Sequence, residues 1–239
     1  MEIEGSVALV TGANRGLGAS FCQALLEAGA AKVYAGARDP GTVQLPGVTP
    51  LQLDITSPSQ VQAAAATCGD VNLLINNAGI LTGVGAFSKD AIEAGHREFD
   101  TNVFGPLAMA RSFAPILASN GGGAIINVLS VLSWLSAPGG AMYCAAKAAS
   151  WSLTNAIRLD LQAQKTQVMA LHVGYMDTDM AARMRGPKSS PDDVAAQALA
   201  GLRENAFEVL ADDVSKRVRS GLSSELSVLY PSLVPNVHA

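Results

Sequence analysis

Short β-branched runs alternate with longer Ala- and Leu-rich segments along the chain. That alternation is the signature of βαβ units and restricts the fold to helices packed on a parallel sheet. Seven runs read as strands, at residues 6–11, 32–37, 49–53, 73–76, 124–129, 167–172 and, more weakly patterned, 207–210. Several are apolar at consecutive positions, as a strand covered on both faces must be. Helical patterns occupy residues 16–28, 58–68, 97–118, 143–164 and 191–204. Residues 39–48, rich in Gly and Pro, are too few for a crossover helix and predict a turn. Residues 212–224 predict one further helix, with an apolar tail running on to residue 239. No repeat, linker or shift in composition divides the chain. The expectation is therefore an α/β fold: one doubly wound parallel sheet of about seven strands with helices on both faces, in a single domain over residues 1–239.

Charge narrows the function classes. Only 15% of the 239 residues are charged, against about 25% in ordinary soluble domains, and residues 112–146 carry no charge at all. Asn120-Gly121-Gly122-Gly123 and Pro138-Gly139-Gly140 interrupt that run, and Asn127, Ser130, Ser133 and Ser136 lie within it. No stretch of about 18 apolar residues survives, so no membrane span is expected. A net charge of −4 with scattered basic residues argues against nucleic acid as a partner. The start, Met1-Glu2-Ile3-Glu4-Gly5, is acidic where a secretory signal is basic, which predicts a cytoplasmic protein. Cys22, Cys68 and Cys144 lack the spacing of a redox pair or zinc knuckle. His96, His172 and His238 are equally dispersed, so neither a metal site nor a Ser-His-Asp triad is expected.

The first strand runs into Thr11-Gly12-Ala13-Asn14-Arg15-Gly16-Leu17-Gly18 and then directly into a helical pattern. Glycines in such a turn let backbone N–H groups and the positive helix end approach a pyrophosphate with no Cβ in the way. The strand and helix on either side supply the context that a dinucleotide site requires.

The spacing T-G-x-x-x-G-x-G resembles the short-chain dehydrogenase/reductase family, and matching residues recur in order along the chain. They are Asp54 after the third strand, Asn76-Asn77-Ala78-Gly79 closing the fourth, Asn102, Ser130, Tyr143-Cys144-Ala145-Ala146-Lys147, and Gly174 with Thr178 after the sixth strand. The resemblance implies a Rossmann fold and a nicotinamide dinucleotide held by Gly12, Asn14, Arg15, Gly16, Leu17, Gly18, Asn77, Ala78, Gly79, Gly174 and Thr178. It places Asp54 and Ile55 around the adenine ring; the bland alternative for Asp54 is a turn before Thr56.

The end of the second strand bears on which dinucleotide binds. An acidic residue there would accept from both ribose hydroxyls and repel a 2′-phosphate, whereas a nearby arginine favours it. This strand ends Gly36-Ala37-Arg38-Asp39, which resembles the NADP(H) pattern, with Arg15 as a second cation. Two guanidinium groups can hold one phosphate dianion. Asp39 would oppose this if the register were shifted, and pairing with it is the bland alternative for the arginines.

Tyr143 and Lys147 are four apart in a helical segment and share a face. A free phenol titrates near 10, and an adjacent ammonium lowers that value by favouring the phenolate. Ser130 lies at the carboxyl end of a predicted strand, where open α/β sheets bind ligands. Ser133 competes with it but stands three residues closer to Tyr143 than the family's spacing. By resemblance Ser130 bonds the substrate oxygen, and Asn102 bends a helix and anchors a water leading to Lys147. Asn102 has the bland alternative of a helix cap. The family's chemistry is hydride delivery to a carbonyl carbon, with Tyr143 as proton donor and Lys147 both tuning it and bonding the nicotinamide ribose.

Val173-Gly174 stands where relatives have Pro-Gly, so the preset φ of that loop is lost. The substrate loop, residues 179–193, is short, and Leu132, Trp134, Leu135, Tyr175 and Met180 are candidate apolar walls. The expectation is an NADPH-dependent reductase of an apolar ketone or aldehyde, forming a homodimer or homotetramer through weakly charged helices. The alternatives are an NAD-dependent alcohol dehydrogenase and a non-catalytic NADP(H)-sensing regulator.

Overall fold

The computed structural model describes residues 1–233. Seven strands form one sheet: β1 (Val7–Thr11), β2 (Lys32–Ala37), β3 (Thr49–Gln52), β4 (Leu73–Asn76), β5 (Gly123–Val128), β6 (Thr166–His172) and β7 (Glu208–Leu210). Every pairing is parallel, in the order β3-β2-β1-β4-β5-β6-β7. The order reverses between β1 and β4, and a doubly wound sheet binds its ligand at the carboxyl ends of the strands beside such a switch point.

Two apolar layers cover the sheet. On one side α1 (Gly16–Glu27) and α6 (Pro191–Arg203) pack through Phe21, Leu25, Val194 and Leu199 onto Val10, Val33 and Ile75. On the other, α2 (Pro58–Thr67), α4 (Gly105–Ser119) and α5 (Ala141–Asp160) bring Val61, Phe113, Leu117 and Ile157 onto Leu9, Leu74 and Ile125. Consecutive residues Leu73, Leu74 and Ile75 serve opposite layers, which is why the strand is apolar throughout.

Strand positions agree with the sequence pattern to within a residue, and β2 reaches β3 through a 3₁₀ turn at Pro40–Thr42, as the short connection predicts. The helix expected at residues 97–118 differs. It begins earlier, as α3 (Ala91–Phe99), passes through a π-helical turn at Asp100–Phe104 and resumes as α4. The cause of the break is local: Gly105 N–H bonds to the Asp100 carbonyl, and Pro106 has no N–H to offer the carbonyl of Asn102. The segment predicted at residues 212–239 forms α7 (Asp213–Ser220) and α8 (Leu226–Leu229); its last part, residues 234–239, lies outside the described residues.

Candidate active site

The ends of β1 and β4 are tied together by one threonine. Thr11 Oγ1 accepts from the N–H groups of Asn77 and Ala78, both at 3.0 Å, while Asn77 Nδ2 donates to the Thr11 carbonyl at 2.9 Å. This brings Ala78 against Gly12, where a Cβ would stand 3.0 Å from the Ala78 Cα. Gly18 is closer still: a Cβ there would lie 2.1 Å from the Gly12 carbonyl oxygen. Thr178 closes the turn from the opposite side, its methyl 3.2 Å from where a Gly16 Cβ would be. The first turn of α1 has no side-chain cap and no acidic residue. Its free N–H groups and positive end suit an anion, so the residues present fit a dinucleotide.

Several sequence candidates take up local duties. Asp54 Oδ1 accepts from Thr56 N–H at 2.9 Å and from Thr56 Oγ1 at 2.7 Å, an Asx turn before α2, while Ile55 is buried against Gly105. Asp39 Oδ1 accepts from Gly41 N–H at 2.9 Å, which turns its carboxylate onto its own 3₁₀ turn. Arg38 is exposed and makes no ion pair among the described residues. Asn14 is also exposed, and Arg15 pairs with Asp179 of the substrate loop at 3.2 Å.

The second half of the site converges from β5, α5 and the π turn. Asn102 clamps the chain after Gly79: its Oδ1 accepts from Ile80 N–H at 3.0 Å and its Nδ2 donates to the Ile80 carbonyl at 2.9 Å. A Cβ on Gly79 would fall 2.9 Å from that Oδ1 and 3.8 Å from Lys147 Nζ, so the two halves of the site meet at this glycine. The Asn102 carbonyl left open by Pro106 accepts from Ser150 Oγ at 2.6 Å. Ser130 Oγ accepts from Leu132 N–H at 3.1 Å, leaving its proton free to donate outward. Ser133 is turned back, its Oγ accepting from Ser130 N–H at 3.4 Å.

Burial sets the electrostatics. Desolvation raises the Tyr143 phenol above its ordinary range; the nearby Ser130 hydroxyl opposes this, and Glu98 adds to it. Desolvation lowers the Lys147 ammonium to about 8, so it remains mostly charged at neutral pH. Its Nζ donates to the Val128 carbonyl at 2.9 Å and lies 5.7 Å from the centre of the Tyr143 ring.

A family model described as short chain dehydrogenase matches residues 6–188. The chain belongs to the short chain dehydrogenase family. The NADP-dependent 3-hydroxy acid dehydrogenase of Schizosaccharomyces pombe is 28% identical over 246 residues, which cover 97% of this chain and 94% of that protein. A short chain dehydrogenase of Burkholderia cenocepacia, solved in complex with NADP, is 40% identical with a TM-score of 0.93, covering 98% of this chain and 100% of that one. Another from Burkholderia phymatum, solved in complex with NAD, is 26% identical with a TM-score of 0.82, covering 92% and 93%. The short chain dehydrogenases are oxidoreductases acting on hydroxyl or carbonyl groups with a nicotinamide dinucleotide.

Around this short chain dehydrogenase site lie polar residues that the sequence pattern did not single out. Asn76 Nδ2 donates to Asn127 Oδ1 at 2.9 Å, and Asn127 Nδ2 to Thr154 Oγ1 at 3.0 Å, which in turn donates to the Ser150 carbonyl at 2.7 Å. With Lys147 and Asn102 they line one side of a small cavity of about 10 Å³ whose other walls include Val103, Leu153 and Ile157. Buried Glu98 accepts from Thr82 N–H and Oγ1, fixing the same loop that Asn102 clamps. The only advance signal was Asn127, a polar residue inside a central apolar strand.

The loop after β6 has Val173 where the sequence resemblance leads to proline, and hydrogen bonds hold it. The Val173 carbonyl accepts from Val131 N–H at 3.0 Å, and Gly174 N–H donates to Asp212, whose other oxygen caps α7 through Ser215 N–H at 2.7 Å. Of the candidate wall residues, Tyr175 and Met180 are 43% and 48% exposed. Trp134 instead turns inward onto His172. Among the described residues no helix is long and apolar enough to cross a membrane, and no three His, Cys, Asp or Glu side chains cluster as a metal site.

Proposed function

We propose that this chain is an NADPH-dependent carbonyl reductase, working on a ketone or aldehyde with apolar substituents. The observation that carries the reading is the placement of Lys147 Nζ 5.7 Å from the centre of the Tyr143 ring and beside Gly79, with the Ser130 hydroxyl near enough to the phenol to lower it against burial. When bound, the cofactor supplies the hydride that adds to the carbonyl carbon. Tyr143 Oη gives its proton to the carbonyl oxygen as that oxygen becomes an alkoxide, and burial favours the protonated phenol this direction needs. Ser130 donates a hydrogen bond to the developing oxyanion. Lys147 faces the tyrosine ring and steadies the charge on the phenol oxygen once its proton has gone.

NADP(H) rather than NAD(H) is supported by Ala37 at the end of β2, by unpaired Arg38 and by Asp39 being turned onto Gly41. The NADP-bound Burkholderia cenocepacia protein points the same way; the NAD-bound relative keeps the NAD-dependent alternative in the test. The same reading takes residues 1–239 as one cytoplasmic domain, with residues 179–193 covering the substrate and α4 and α5 as subunit faces. Phe104 and Leu159, exposed on those faces, suit a homodimer or homotetramer, and a monomer mass in light scattering would overturn it.

The test is a panel of ketones, aldehydes and quinones followed by nicotinamide absorbance, with NADPH and NADH side by side. Turnover preferring NADPH is expected, and Tyr143→Phe lowers kcat by about 10²- to 10⁴-fold. Cofactor binding without turnover of any compound would leave a sensor.

A further inference from the structure

Behind Ser130 sits a side-chain assembly with no part in the chemistry above. His172, the last residue of β6, is fully buried, and its Nδ1 lies 3.2 Å from the Ser130 carbonyl oxygen. Its ring stacks on Trp134, centroids 3.8 Å apart and planes 19° from parallel, and Trp151 meets Trp134 edge-on at 5.8 Å. Glu208 of β7 lies 3.8 Å from His172 Nε2, beyond hydrogen-bond reach. That carboxylate is engaged elsewhere, by Trp151 Nε1 at 2.9 Å and Arg219 Nε at 3.2 Å.

The tautomer follows from these partners. The Ser130 carbonyl can only accept, so the proton sits on Nδ1, and Nε2 has no hydrogen-bond partner. Burial holds the imidazole down at about 4, and it is therefore neutral. Beyond β5 the strand ladder continues through Leu129 N–H to the Leu171 carbonyl and Val131 N–H to the Val173 carbonyl. Ser130, between those rungs, has its N–H on Ser133 Oγ, and its carbonyl accepts from Ser133 N–H at 2.9 Å and, as a second donor, from His172 Nδ1. The Ser130 N–H is thus held by a side chain, and its carbonyl by one backbone N–H and one side chain.

We propose that His172 is a positioning residue for Ser130: its Nδ1–H anchors the serine carbonyl, and the Trp134 stack fixes the ring that does so. This rests on the role given to Ser130 above. A fixed carbonyl fixes the Cα–Cβ direction, and a donor displaced by a fraction of an ångström stabilises an oxyanion less well.

Asparagine and glutamine separate this role from simple packing, because the Asn amide nitrogen falls near Nδ1 and the Gln amide nitrogen near Nε2. His172→Asn should keep most of kcat, whereas His172→Gln and His172→Leu should lose roughly tenfold or more, with KM for NADPH unchanged. In a Ser130→Ala background His172→Leu should cost nothing further, since residues acting through one group are non-additive. Equal kcat for the Asn and Gln variants, or full additivity with Ser130→Ala, overturns the proposal. If His172→Leu does not fold, the Asn and Gln pair still decides. Wild-type turnover is the control: its absence overturns the reductase reading and this role together, while intact turnover with matched variants overturns only the role of His172.

Discussion

At the carboxyl end of β1 the contacts that matter are made by backbone. Gly12 and Gly18 are needed because their neighbours are a carbonyl oxygen and a Cα, and Thr11 and Asn77 bond main-chain groups. At the carboxyl end of β5 the work falls to side chains, Ser130, Tyr143, Lys147 and Asn102, with Ser130 supported by Ser133 and His172 and Asn102 by Ser150. A backbone site tolerates no added atom, while a side-chain site fails by degrees as its supports are removed. The two halves should respond to mutation in different ways.

The largest effect is expected in the backbone half. Gly18→Val places a Cβ against a carbonyl that cannot give, and it should abolish NADPH binding in a fluorescence titration while lowering stability by about 3 kcal/mol or more in urea unfolding. Retained binding would mean that the turn yields. In the side-chain half, Ser130→Ala should reduce kcat by about 10²- to 10³-fold with cofactor affinity unchanged. Ser133→Ala, which loses one bond of 3.4 Å to a backbone N–H, should leave kcat within a few-fold.

Lys147→Met sharpens the contrast, because it should remove activity and add stability. The folded ammonium titrates near 8, below the ordinary value near 10.5, so between those pH values the unfolded chain binds more protons and wild-type stability rises with pH. At pH 7 the buried charge costs roughly 3 kcal/mol, from which about 1 is regained through the bond to the Val128 carbonyl. A gain of about 2 kcal/mol at pH 7 for the methionine variant is expected in urea unfolding, shrinking above pH 8; a loss at pH 7 would show that the lysine is not a strained group. A smaller effect than that of Ser130→Ala belongs to Arg38→Ala. Loss of one charge-assisted contact should weaken NADPH binding by about 10- to 100-fold and leave NADH unchanged, as read by parallel titrations.

The same division explains what could be read in advance. Glycine turns and strand ends are local in sequence, so Thr11–Gly18 and every strand position were legible, as was the Y-x-x-x-K pair within one helix. The supports were not. His172 meets its serine partner 42 residues away and Asn127 its asparagine partner 51 residues away, and nothing beside either one in the chain announces the pairing. α3 was missed for a related reason. Its buried face is Ala91, Ala94, Gly95 and the carboxylate of Glu98, which carries almost no apolar signal. Asp39 shows the reverse case: its carboxylate accepts from Gly41 N–H, a bond between near neighbours in the chain that the sequence around it dictates.

The π turn at Asp100–Phe104 amounts to one residue more than a regular helix would hold. Removing a single codon there would restore the α-helical register from α3 into α4, with Pro106 still leaving one carbonyl unpaired. What would disappear is the bulge that lets Asn102 reach Ile80 and turn its carbonyl to Ser150. Folding and catalysis in this chain are therefore separable by one deletion. A lineage that made it would keep a well-packed dinucleotide-fold protein free to drift toward another role.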